Sequence, residues 1–116
     1  MAVMQPEWVK EAWGSRRTLH FSFSVCVEEW ELTGAFPRHR TRVNYQDITV
    51  LDGRLLAHFY KDRTVPGSVS QQVPAGGKIT LEPGQYRSLE ALDGPVHLIV
   101  VWWKDHLTAA DVEWAQ

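Results

Sequence analysis

The residues best suited to chemistry lie between Gly34 and Gly53, in the run Gly-Ala-Phe-Pro-Arg-His-Arg-Thr-Arg-Val-Asn-Tyr-Gln-Asp-Ile-Thr-Val-Leu-Asp-Gly. Successive side chains of a strand face opposite sides. Arg38, Arg40 and Arg42 then share one face, with His39, Thr41, Val43 and Tyr45 on the other. Unpaired buried charge is costly, so three guanidinium groups do not enter an apolar core together. The arginines therefore face water, and His39 and Thr41 face the interior. An inward His beside an inward Thr is either a satisfied core pair or part of a pocket. Histidine titrates near neutrality and is the natural general base, so His39 and Tyr45 are the pair that acid–base chemistry would use. Cys26 falls on the polar register of its own strand, and no His or Asn stands in a recognisable triad pattern with it. His20, His58, His97 and His106 sit in no His-x-His or paired-carboxylate spacing.

The elements that must position these groups belong to one domain. A chain of 116 residues builds a single core and buries roughly two-thirds of its unfolded surface. Its 44% hydrophobic and 22% charged residues are the proportions of an ordinary soluble globule. The net charge of -2 gives no general attraction to nucleic acid or anionic membrane. Arg38, Arg40, Arg42 and Arg54 read as a solvated strand face, since there is no recognition helix or RNP-like motif beside them. Met1 to Lys10 is interrupted by Pro6, Glu7 and Lys10 and does not read as a signal peptide. No stretch approaches about 20 apolar residues, so no membrane span is expected. Cys26 is the only cysteine, which excludes an internal disulfide and suits a reducing, cytoplasmic setting.

Along the chain, residues 1–17 read as a lead-in. Trp8 with Ala12 and Val9 with Trp13 have helical spacing, and Gly14-Ser15 ends that segment. Thr18 to Leu32 alternates as a strand, with Leu19, Phe21, Phe23, Val25 and Val27 on one face and His20, Ser22, Ser24, Cys26 and Glu28 on the other. Arg38 to Tyr45 is the next strand. Ile48 to Leu51 and Arg54 to Tyr60 read as a hairpin closed by Asp52-Gly53. Val69 to Val73 and Lys78 to Leu81 are short strands, with a turn at Pro83-Gly84. Tyr86 to Leu92 and Val96 to Trp103 flank a turn at Asp93-Gly94-Pro95, and the second has the apolar run of a strand buried on both faces. Trp102 and Trp103 point to opposite faces, one into the core. Thr108 reads as the N-cap of a short helix over Ala109 to Trp114. The pattern is all-β, with turn signals every 8 to 12 residues in roughly eight strands, as in a sandwich, barrel or jelly roll.

These residues are similar to the cupin superfamily of double-stranded β-helix proteins. Cupins carry a Gly, then His-x-His, a Glu four residues on and a Gly after six more. Their second motif is a Gly, a Pro-x-Gly turn five residues on, and a His. Here His39-x-Thr41, Gln46 and Gly53 keep the first spacing, and Gly77, Pro83-Gly84 and Tyr86-Arg87 follow the second. Within cupins the chain looks most like the small single-domain proteins associated with tellurite resistance. The matching places are Arg38-His39-Arg40-Thr41-Arg42, Val50-Leu51-Asp52-Gly53-Arg54-Leu55, and Gly94-Pro95-Val96 with Trp102-Trp103. The resemblance covers about Thr18 to Lys104.

The resemblance implies a single cupin jelly roll over residues 18–104, with short helical segments at both termini, the second over 105–116. Many cupins hold a divalent metal through three His and one Glu. Carried over, those positions are His39, Thr41, Gln46 and Arg87, or Ser88 with a slip of one residue. A hydroxyl, an amide and an arginine are poor ligands for such a metal. No metal and no cofactor is therefore expected. His39, Thr41, Tyr45, Gln46, Tyr86 and Arg87 would instead line a barrel mouth, where the arginine fork suits carboxylate or phosphate. The alternative is a polar core in which these groups satisfy one another and Arg87 pairs with Glu82 or Glu90.

The leading expectation is a metal-free cupin that binds a small ligand, with anions among the candidates; whether it is an enzyme is left open, with binding favoured over catalysis. One alternative is a metal-dependent or acid–base cupin enzyme of isomerase or dioxygenase type with degenerate ligands. Another is a protein-interaction module with a filled barrel and an apolar patch built on Trp8, Trp13 or Trp103. A homodimer is expected, with neither nucleic acid nor membrane as a partner.

Overall fold

The computed structural model describes residues 7–22, 24–103 and 112–114. They form β1 (Val9–Glu11), β2 (Gly14–Phe21), β3 (Val25–Leu32), β4 (Ala35–Thr41), β5 (Tyr45–Tyr60), β6 (Val69–Pro74), β7 (Lys78–Leu81), β8 (Tyr86–Trp103) and β9 (Val112–Trp114). No helix occurs among the described residues. None is therefore long and apolar enough to cross a membrane.

Strands β5 and β8 organise the rest. They pair antiparallel along their whole length, from Tyr45 opposite Trp103 to Tyr60 opposite Tyr86. The first half of β5 also pairs with β7, and the last half of β8 pairs with β3, which continues through β2 to β1. The second half of β5 pairs with β6, and the first half of β8 with β4, which is flanked in turn by β9. Two sheets result, and both long strands run through both. Their inner faces supply one core, with Trp30, Leu32, Ile48, Val50, Ile79, Leu81, Leu98 and Val100 on one side and Phe36, Leu55, Ala57, Val73 and Leu89 on the other. This is the jelly-roll arrangement expected from the sequence.

The strands pass between sheets at paired bends. The β5–β8 register shifts between Val50 and Arg54, opposite Asp93 to Pro95. Asp93 and Gly94 take φ of 62° and 121°, and Gly53 takes 83°. An extra residue in a strand reverses which positions face inward. The fully buried residues of β5 accordingly run Gln46, Ile48, Val50 and then Leu55, Ala57, and those of β8 run Arg87, Leu89 and then Val96, Leu98, Val100. Arg54 Nη2 donates to Asp93 Oδ2 at 2.7 Å across the bend. Asp52-Gly53 is therefore a bend inside one strand and not a hairpin. Asp93-Gly94-Pro95 likewise bends β8 without ending it.

Three other sequence expectations are corrected. Thr18 to Leu32 is not one strand: the chain reverses, Ser22 N donates to the Val25 carbonyl at 2.8 Å, and Phe21 pairs with Cys26. The inward face of β3 carries Glu28, Trp30 and Leu32, whereas Leu19 and Phe21 stand exposed. The turn has no Gly or Pro to mark it. Second, β4 ends at Thr41, so Arg42 and Val43 lie in a bend and Val43 is exposed. Third, the terminal helical segments are strands where they are described. Val9–Glu11 pairs with Arg16 to Gly14, and Val112–Trp114 pairs with Thr41 to His39. Helices this short are marginal in water, and pairing with a sheet edge satisfies the same backbone groups. Trp13 is buried, 4.6 Å from the Trp30 ring centroid. Residues 1–6, 104–111, 115 and 116 lie outside the described residues, as do Thr108 and most of the expected C-terminal helix.

Gly53 tests the bends. A Cβ built there meets the Pro95 carbonyl oxygen at 2.6 Å, on a backbone of positive φ. Gly53→Ala is expected to destabilise the fold by more than about 1 kcal/mol in urea unfolding. Gly67→Ala has positive φ but no neighbour within 4 Å, so it lacks the steric part and is expected to cost less.

Candidate functional site

Strands β4, β5 and β8 bring four of the expected residues together in the interior. His39 is opposite Arg87 in the β4–β8 register, so both side chains project between the sheets. Gln46 comes from the other sheet, near the start of β5, and Thr41 from the end of β4. All four are fully buried. The Arg87 guanidinium joins them: Nη2 donates to Gln46 Oε1 at 2.5 Å and to Thr41 Oγ1 at 3.4 Å. Its Nη1 donates to the backbone carbonyls of Glu82 and Gln85 at 3.1 and 3.0 Å. Thr41 Oγ1 donates in turn to the Asn44 carbonyl at 2.6 Å. The contact of Arg87 with Glu82 is thus to its backbone, not its carboxylate. Glu90 sits elsewhere, on His58.

His39 has a definite tautomer. Its Nδ1 lies 2.8 Å from the Pro37 carbonyl. A carbonyl only accepts, so Nδ1 carries the proton and Nε2 is a bare acceptor. The ring packs against Phe36 and Trp114, with centroids at 4.4 and 5.7 Å. Burial first, and then the nearby Arg87 charge, push its pKa from 6.5 down to about 3, against a smaller opposite effect of the Pro37 bond. His39 is therefore neutral, and a weak proton acceptor. His39 Nε2 and the Gln46 side-chain nitrogen are buried with no hydrogen-bond partner among the described residues.

Tyr45 and Tyr86 do not join this set. Each precedes an inward residue in its strand and so faces the opposite side. Tyr45 stacks on Trp103, 4.4 Å between centroids. Tyr86 is buried beneath the Arg40 guanidinium, 5.1 Å from its ring centroid. Arg38 lies over Tyr60 at 3.6 Å. The arginine face of β4 thus lies outside the interior, as expected, but is half covered by cation–π contacts.

No family profile and no curated protein matches the sequence. Solved structures do match. Oxalate decarboxylase from Bacillus subtilis at pH 4.6 has a TM-score of 0.77 at 15% identity, over 94% of this chain and 30% of that one. The Lactobacillus farciminis oxalate decarboxylase formate complex has a TM-score of 0.73 at 16% identity, over 94% and 33%. KdgF from Halomonas sp. has a TM-score of 0.71 at 11% identity, over 84% and 86%. The chain has the cupin fold. It spans about a third of the oxalate decarboxylase chains it matches.

His39, Thr41, Gln46 and Arg87 do not fit a divalent cation. Only His39 offers a ligand nitrogen. The Arg87 guanidinium, which is permanently charged, holds the oxygens of Gln46 and Thr41 that a cation would need. Among the described residues, no group of three or more His, Cys, Asp and Glu could hold a metal.

Two carboxylates were missed in the sequence as interior or paired groups. Glu28 accepts from the indole nitrogens of Trp30 at 3.2 Å and Trp102 at 2.8 Å, and from Arg16 at 3.2 Å. The signal was Glu28-x-Trp30, two positions that share a strand face. Beside it, burial and then the Glu28 charge push the Cys26 thiol up to about 11, so it rests protonated. Glu29, on the other face, accepts from Arg17 Nε at 2.6 Å and from His97 Nε2. Burial alone would raise the Glu29 carboxyl, but these bonds and charges hold it below its ordinary range.

These groups divide the pH profile of stability. A pKa near 3 in the folded chain, against 6.5 ordinarily, means that the unfolded chain takes up the His39 proton first. The His39 contribution to stability is fully present above about pH 6.5 and is lost below it, by roughly 1.4 kcal/mol per pH unit for one proton, down to the folded value. Glu29, with a lowered pKa, stabilises above the ordinary glutamate range and loses that contribution as pH falls through its folded value. Urea unfolding between about pH 7 and pH 4.5 is expected to show the His39 slope in the parent and its loss in His39→Gln. Glu29→Gln is expected to keep that slope and flatten the profile only at lower pH.

Proposed function

We propose that this chain is a metal-free cupin that binds a small anionic ligand between its sheets. The observation that carries the reading is a pair of buried nitrogens, His39 Nε2 and Gln46 Nε2, with no hydrogen-bond partner among the described residues. Buried polar atoms are nearly always satisfied, by protein, water or ligand. Here one acceptor and one amide donor stand beside a fixed guanidinium charge. A carboxylate or phosphate oxygen would take the Gln46 donor and the Arg87 charge, and a hydroxyl on the same ligand would donate to His39. The Lactobacillus farciminis relative was solved as a formate complex, which makes small carboxylates the first probes. The Bacillus subtilis oxalate decarboxylase has Mn(II) centers, and in our reading the Arg87 charge stands where such a cation would.

The acid–base enzyme reading is weaker, because a base whose pKa is about 3 takes a proton poorly at neutral pH. The interaction reading loses Trp13, which is buried, and keeps Trp8 and Trp103, which are exposed. Within cupins, the Arg38-His39-Arg40-Thr41-Arg42 and Gly94-Pro95-Val96 segments favour the tellurite-resistance-associated group, and no residue here points to chemistry on tellurium.

Titration with formate, oxalate and inorganic phosphate, read by tryptophan fluorescence and calorimetry, tests the proposal. Saturable binding is expected for the parent, at least about tenfold weaker in Gln46→Leu and in Arg87→Met. An absence of saturable binding by the parent overturns it, and affinity unchanged in Gln46→Leu removes Gln46 from the site.

A further inference from the structure

On the outer side of the second sheet, neighbouring strands bring a serine, a histidine and a glutamate into one line. His58 of β5 is opposite Ser70 of β6, and Glu90 of β8 is opposite Leu56, one step along the same face. Ser70 Oγ lies 2.7 Å from His58 Nδ1, and Glu90 Oε1 lies 3.2 Å from His58 Nε2. Ser68 Oγ is also near Nδ1, at 3.4 Å. Ser70 is exposed, whereas the His58 side chain retains 21% of its accessibility.

The protons follow from the acceptors. An ionised carboxylate cannot donate, so His58 Nε2 carries the hydrogen given to Glu90. Nδ1 is then bare, and the Ser70 hydroxyl donates to it. A hydroxyl bonded to the basic nitrogen of a histidine whose other nitrogen is held by a carboxylate is the arrangement that activates a serine nucleophile. The ring is turned relative to the commonest serine hydrolases, with Nδ1 rather than Nε2 on the serine.

We propose that Ser70, His58 and Glu90 form a second, surface site with esterase-type reactivity toward activated acyl and phosphonyl groups. Ser70 Oγ attacks the acyl carbon while its proton passes to His58 Nδ1. The ester C–O bond breaks, the departing alcohol takes that proton, and Ser70 is left acylated. Water then attacks the acyl-serine through the same base, releasing the acid and restoring the hydroxyl. Glu90 is a positioning residue that fixes the tautomer and stabilises the charged ring. Among the described residues, β6 pairs only with β5. Its other edge presents backbone N–H groups to solvent, the type of donor that a developing oxyanion needs.

The full chain is treated with a fluorophosphonate probe, which gives up fluoride as the Ser–O–P bond forms, and assayed with p-nitrophenyl acetate. Labelling is expected on the Ser70 peptide, absent in Ser70→Ala and slowed by about 10²-fold in His58→Gln. Glu90→Gln is expected to lower kcat with KM unchanged. Labelling on Ser68 instead, labelling as fast in the urea-unfolded chain, or an unchanged rate in His58→Gln overturns the proposal.

Discussion

A guanidinium buried between two sheets is the constraint on which the interior depends. Arg87 cannot lose its charge, and a charge out of water is tolerated only where oxygens surround it. The structure supplies them from every side: two carbonyls of the turn before β8, the Thr41 hydroxyl, and the Gln46 amide of the opposite sheet. Each is thereby fixed. The same charge helps to keep His39 neutral, and with the ring bonded to Pro37 its free nitrogen is left as an acceptor. His39, Thr41, Gln46 and Arg87 thus form a network around a cation that belongs to the chain.

The alternation that makes sheets amphipathic also lets one strand serve two regions. β8 turns Arg87 inward and Glu90 outward; β5 turns Gln46 inward and, beyond its bend, His58 outward. The polar interior and the Ser70–His58–Glu90 line thus share a scaffold and no side chains. The fold itself prescribes neither chemistry.

Much of this was legible in the sequence, and the misses have physical causes. The inward His39 and Thr41 followed from the impossibility of burying three neighbouring arginines, and Gln46 and Arg87 from motif spacing. Lys78–Leu81 and Val69–Pro74 were marked by flanking Pro and Gly. Asp52-Gly53 has the composition of a hairpin, but positive φ serves a bend equally well, and only pairing with β8 tells them apart. Ser22 to Ser24 carries no turn residue of that kind, so a real reversal read as continued alternation. Continuing the His39–Thr41–Val43 alternation places Tyr45 inward, but β4 ends at Thr41 and the bend at Arg42 and Val43 breaks that register. Tyr86 joins the site by its motif position beside Arg87, although adjacent strand residues face apart. Val9–Glu11 and Val112–Trp114 took strand form because open sheet edges were available, which local spacing cannot reveal.

The end-to-end pairing of β5 with β8 also imposes an order on folding. The shortest loop closed by any contact between them joins Tyr60 to Tyr86, and the longest joins Tyr45 to Trp103. Loop entropy rises with length, so the pairing is least costly to begin at the Tyr60 end and zip toward Trp103. The Arg87 end of the barrel then forms early, and Gln46 reaches it only when the zipper has passed the bends at Gly53 and Asp93. A chain whose contacts are so largely non-local belongs among the slow folders of its size.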